Sequence, residues 1–169
     1  MRTRPLALLG AAAVSIPLIV AGTVVSASAD GHAPLPIAVE PLTPRSLVPD
    51  DVSMKFKIHH PGEGTQVVDL SDPSRVAVAR ITVQPGARFP AHTHLGPVLV
   101  TVAEGQLTYV DQHTCVERVY PAGTAFLDAG HDVHSAYGSS PGVTTLIATF
   151  FAAPASGPLT IAEPAPGKC

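Results

Sequence analysis

Tryptophan and asparagine are absent from this sequence, and only 14% of its residues are Asp, Glu, Lys or Arg. Without asparagine there is no acceptor for N-glycosylation. Without a basic run there is no footprint for nucleic acid, which needs clustered Lys and Arg to meet phosphates. The two cysteines, Cys115 and Cys169, are too few and too far apart for a Cys-x-x-Cys redox or zinc motif. No phosphate-binding glycine loop is present. No long segment after residue 30 repeats apolar residues every 3.6 positions, so amphipathic helices are not expected. One string, "GSSPG" at 138–142, has the Gly-x-Ser-x-Gly form of a nucleophile elbow. That elbow needs a strand leading into a helix, and Pro141 is followed instead by "VTTLIATFF", a strand pattern. It reads as a hairpin turn.

What is present begins with an export signal. Arg2 and Arg4 precede an apolar run from Leu6 to Val25, and "SASAD" follows with Ala27 and Ala29 in small-x-small spacing. The expectation is a signal peptide over 1–29 and secretion of a chain starting at Asp30. An uncleaved membrane anchor is the alternative, because the run is long enough to span. After cleavage no membrane contact is expected. Removing Arg2 and Arg4 leaves 8 basic residues against 13 acidic ones. In an exported protein Cys115 and Cys169 read as one disulfide, with two free thiols as the alternative.

Residues 30–51 carry five prolines and read as an extended arm. Residues 154–169 read as a similar proline-rich tail. Between them, 52–153 holds the folded body. Strand signals recur at 54–58, 65–70, 75–83, 97–104, 106–111, 115–120, 124–129, 132–137 and 142–152, each short, rich in β-branched or aromatic residues and bounded by Gly, Pro or Asp. Strands at this spacing predict an all-β sandwich or barrel.

The chemistry concentrates in "PAHTHLGP". Residues two apart on a strand share a face, so His92 and His94 project together. Two imidazoles on an inward face need polar partners, and a divalent metal supplies one. His134 is the leading third ligand. His59 and His60 sit before a probable turn, His113 in a probable hairpin loop and His32 in the arm. Phe89, Tyr109, Phe126, Tyr137, Phe150 and Phe151 read as core or rim. Glu117 and Asp128 are carboxylates that the sequence does not place.

The spacing Gly86-x5-His92-x-His94-x3-Val98-x6-Gly105 resembles the first motif of the cupins, and Gly123-x5-Ala129-x-His131-x2-His134-x3-Gly138 resembles the second. The resemblance covers roughly 75–152. It implies a cupin-type small β-barrel, a double-stranded β-helix related to the jelly roll, with one divalent metal (Fe, Mn, Zn, Ni or Cu) held by His92, His94 and His134. Homodimers are common in the family. The family's glutamate ligand position holds Val98, and Glu104 lies roughly 20 Å further along the strand. The Pro, Gly and Asn positions of the second motif hold Ala129, His131 and Gly138. Three neutral ligands leave more positive charge on the metal than two histidines and a carboxylate do. Such a set suits zinc with a bound water, whose pKa drops to about 7, and it also occurs in cupin thiol dioxygenases that use iron. His131 is the candidate acid or base, with a surface loop histidine as the alternative. Two functions remain open: a metalloenzyme, oxygenase-like, acting on a small organic substrate, or a non-catalytic extracellular module binding metal or a small ligand.

Overall fold

The computed structural model describes residues 35–61, 64–164, 167 and 169. The signal segment 1–29 lies outside the described residues. Among those residues the regular structure is all strand, and no helix is long and apolar enough to cross a membrane.

Thirteen strands form two main sheets and a hairpin. The first sheet runs β1 (Ile37–Pro41), β5 (Arg75–Val83), β12 (Thr144–Phe150), β7 (Val98–Glu104), β10 (Ala125–Asp128), with β2 (Ser46–Leu47) also paired to β5. The second runs β13 (Ile161–Ala162), β6 (Arg88–Thr93), β11 (His134–Gly138), β8 (Gln106–Asp111), β9 (Glu117–Pro121). The strands β3 (Met54–His59) and β4 (Thr65–Leu70) pair with each other.

Period-two burial shows why these segments are strands. In β12 every second residue is buried, and Leu146, Ala148 and Phe150 all point into the core. The same alternation places Ala77, Ala79, Ile81 and Val83 of β5 inside. They meet Leu107 and Tyr109 of β8 and Ala136 of β11, so the two sheets share one core. The expected all-β barrel is the observed architecture.

Four strands escaped the sequence pattern. β6 contains Pro90, which demotes a strand reading, yet Pro90 is tolerated where its missing N–H is not needed for the ladder. β1, β2 and β13 lie in the two proline-rich segments. Part of the proline-rich arm is built into the sheet: Ile37–Pro41 pairs residue for residue with Val83–Ala79. The tail is also incorporated, with Ile161 and Ala162 opposite Thr93 and His92. β1 and β13 are edge strands, each paired on one side only, where local proline content matters little and pairing with a distant strand decides.

Candidate metal centre

The two motif halves meet through one ladder. β6 pairs antiparallel with β11, and His134 stands directly opposite His92. His94 follows two residues on, just past the end of β6. A tight turn then carries the chain to β7 in the other sheet. Here Gly96 is needed, because a Cβ at this position would strike Phe151 O at 2.6 Å and Ala152 Cβ at 2.8 Å. Gly130 crosses the same point with φ +95°, and its carbonyl accepts from the His94 N–H at 2.6 Å. This crossing clamps the two motif loops together.

The rings of His92, His94 and His134 lie 4.1, 5.0 and 5.2 Å apart by centroid, and one nitrogen from each lies within 4.8 Å of the others. All three are buried, at 6%, 8% and 4% exposure. Each Nδ1 faces a backbone carbonyl: Pro90 O at 2.7 Å for His92, Leu159 O at 2.9 Å for His94 and Asp132 O at 2.9 Å for His134. A carbonyl only accepts, so each Nδ1 carries the proton and donates it. A neutral imidazole has one N–H, which leaves Nε2 of all three as lone pairs. Burial, reinforced by the neighbouring His134, pushes the His92 pKa down to about 4. Burial lowers His94 as well, against the pull of its Leu159 acceptor. The His92 and His94 rings are thus neutral at ordinary pH.

This donor set fits a divalent metal. Neutral imidazoles ligate Zn, Fe, Ni, Cu and Mn, and a backbone acceptor behind each ring fixes tautomer and orientation, the usual outer arrangement of histidine ligands.

The carboxylate absent from position 98 reappears in a different role. Asp128 pairs directly across from Val98 in the β10–β7 ladder. Its Oδ1 accepts from the Gly130 N–H at 2.6 Å, and its Oδ2 accepts from the Tyr109 hydroxyl at 2.8 Å. The same Oδ2 lies 3.4 Å from Nδ1 of His134, on the side of the ring away from its free nitrogen. Asp128 therefore sits behind His134 and outside the candidate ligand set. The Tyr109 ring stacks on His134 at 4.9 Å and 12°. Burial and then the Asp128 charge drive the Tyr109 phenol far above its ordinary pKa, so it stays a donor. In the sequence Tyr109 reads as core or rim, and nothing in the burial of β8, continuous from Leu107 to Asp111, singles it out. Val98 itself is 1% exposed and lines the same cavity with an apolar face.

His131 does not join this group. It lies exposed between β10 and β11 and is not among the residues that line the cavity. Its exposed place agrees with the alternative reading of a surface loop histidine. His59 is exposed and contacts Thr65 Oγ1 at 3.3 Å in its own hairpin. Glu117 is near Tyr137 OH, 3.4 Å away, on the exposed side of its sheet.

The C-terminal tail completes the wall. Leu159 supplies the carbonyl that holds His94, and Thr160 lines the cavity. Glu163 accepts from Thr93 Oγ1 at 3.1 Å, and its N–H donates to Ala91 O at 3.0 Å. Cys169 is bonded to Cys115, with Cα atoms 5.4 Å apart, so the expected disulfide is present.

Two antiparallel sheets closing on one core, with three histidines of the two motifs converging at its mouth, decide the architecture. The fold is the cupin fold. Solved cupin-type structures resemble this chain. One is an uncharacterized conserved protein with a double-stranded β-helix domain from Klebsiella pneumoniae, at 21% identity over 53% of this chain and 76% of that one, TM-score 0.45. Another is a cupin domain of an XRE family transcriptional regulator from Enterobacter cloacae, at 17% identity over 68% and 95%, TM-score 0.45. A third is an RmlC-like cupin from Shewanella frigidimarina, at 30% identity over 46% and 67%, TM-score 0.40. No protein-family model and no curated protein matches the chain.

Proposed function

We propose that this cupin is an exported metalloprotein that binds one divalent metal ion through Nε2 of His92, His94 and His134 and receives a small organic molecule at the remaining coordination positions, as an oxygenase-like enzyme. The observation that carries the reading is the set of three buried Nδ1 donors all committed to backbone carbonyls. A common metal partner for the three opposite nitrogens accounts for this arrangement. A bound metal supplies Lewis acidity and open positions for substrate and oxygen. The protein's own part is to orient the ligands, to hold His134 between the Tyr109 ring and the Asp128 carboxylate, and to keep water out of an apolar cavity. Export is supported by the n-region, the apolar run and the disulfide.

A second reading has its own observation. Both Asp128 oxygens already accept hydrogen bonds, and Val98 fills the carboxylate position, so the wall offers no free acid or base. That favours a binding module without turnover. Elemental analysis of the secreted protein, purified without tag or chelator, separates these outcomes. About one metal per chain with oxygen consumption supports the enzyme, and metal without turnover supports the module. His92→Ala and His134→Ala are expected to lose the metal and to melt at lower temperature, since ligation is linked to folding. Wild-type metal content in both variants overturns the site.

A further inference from the structure

Arg118 touches none of the three histidines, yet it stands one ring away from them. It lies half-buried on β9, the edge strand of the second sheet, directly opposite Tyr109 of β8. Its guanidinium carbon sits 4.5 Å from the centre of the Tyr109 ring. The His134 ring of β11 stacks on the same tyrosine at 4.9 Å and 12°. β8 runs between β9 and β11, so the two contacts fall on opposite faces of Tyr109. The result is a column of cation, phenol and imidazole across three strands. Arg118 is itself held: its Nε donates to the Tyr120 hydroxyl at 3.2 Å, and the Tyr120 ring stacks on Phe126 at 4.2 Å and 17°.

We propose that Arg118 is a positioning residue for His134, acting through the Tyr109 ring; this rests on the metal reading above. The His134 Nδ1–H has two acceptors nearby, Asp132 O at 2.9 Å and Asp128 Oδ2 at 3.4 Å. A ring that turns from the first toward the second re-aims its Nε2 away from those of His92 and His94. The stacked Tyr109 ring is the plate that opposes this turn. Its hydroxyl is anchored on Asp128, Phe126 meets its edge at 5.6 Å, and Arg118 backs its far face. A cation within about 6 Å of a ring centre is attracted by the electrons of that face. A planar guanidinium covers the face, whereas an ammonium meets it only as a point charge. The same pair occurs where no ligand stands behind it. Arg88 of β6 is opposite Tyr137 of β11, its guanidinium carbon 4.3 Å from that ring centre. Burial alternates along β11, so Tyr137 points to the other side of the sheet from His134.

The test uses the full secreted chain carrying Arg118→Gln, Arg118→Lys or the matched control Arg88→Gln. It reads cobalt(II) affinity, the cobalt visible spectrum, and nitrogen NMR of the histidine rings in the metal-free chain. Arg118→Gln is expected to weaken cobalt at least about fivefold, somewhat less than the roughly ten- to hundredfold that a direct outer partner of a ligand is worth. It should also shift the cobalt spectrum and move the His134 ring nitrogen signals. Arg118→Lys should recover part of the affinity, and Arg88→Gln should match the wild type in all three readouts. Wild-type cobalt affinity and His134 signals in Arg118→Gln, or equal losses in Arg88→Gln, overturn the proposal. If Arg118→Gln does not fold, Tyr120→Phe, which removes only the oxygen that holds Nε, is read against the same outcomes. A wild-type chain that takes up no cobalt overturns the metal reading, and the His134 signals of the metal-free chain still decide whether Arg118 positions that ring.

Discussion

The two proline-rich ends of the chain look alike in sequence and do different work in the structure. The N-terminal piece adds β1 to the outside of the first sheet, with Val39 59% exposed, and none of its described residues lines the cavity. The C-terminal piece crosses the mouth, gives Leu159 O to His94, places Thr160 in the wall and is fastened at its end by Cys115–Cys169. The ends touch through Arg45, which donates to Pro154 O at 2.8 Å and also to Gly157 O. Composition describes how stiff a segment is. Where it docks is decided by what its backbone finds to pair with.

Deleting residues 155–169 should have the largest effect on that contrast. It removes the His94 acceptor, part of the cavity wall and the disulfide together. Metal content is expected to fall below half an equivalent, and the melting temperature by about 10 °C or more. Trimming the secreted chain through Pro41 should keep the metal. Equal metal loss from both trims, read by elemental analysis, would break the comparison.

Cys169→Ser isolates the fastening. The bridge closes a loop with a sequence separation of 54 residues, which constrains the unfolded chain by about 4 kcal/mol at most. Denaturant unfolding should show a loss of that order, with the N-terminal strand untouched.

Acid acts at the site end as well. The His92 pKa is about 4 in the folded protein against 6.5 unfolded, so between these values the unfolded chain binds the extra proton. Stability of the metal-free protein is therefore flat above pH 6.5 and declines as pH falls toward 4, by a few kcal/mol at most in order of magnitude. His94 shifts the same way and adds to the slope. Melting curves of metal-free protein between pH 8 and 4 test this, and the N-terminally trimmed chain should show the same decline. A melting temperature independent of pH would refute it.

Arg45→Ala should have the smallest effect, about 1 kcal/mol, since it removes two hydrogen bonds at a half-exposed place. Metal content should stay at the wild-type level, because the tail retains its pairing to β6 and its disulfide.

Much of the barrel was legible because inward and outward residues alternate. "RVAVARITV" and "TTLIATF" reveal β5 and β12 by period two alone. The candidate ligand set was legible from the spacing of His92, His94 and His134, which the fold brings together. β6 was less so, since Pro90 breaks the strand pattern in the segment that carries His92. Asp128 and Tyr109 are unremarkable in sequence, 19 residues apart. They become partners because β8 and β10, in different sheets, turn the same cavity-facing positions inward. His131 shows the converse: matched spacing marked it, and it lies exposed between β10 and β11, away from the three histidines.

By itself the sequence determined the alternation that makes strands, the histidines that meet at one end and the pair of cysteines that can bond. Those follow from local geometry and from side-chain chemistry, which travel with the residues. Tertiary structure alone decided that the tail closes the mouth, that Asp128 stands behind His134 and that the cavity wall is apolar. These depend on which strands become neighbours, and non-local pairing is not encoded in any one stretch of chain.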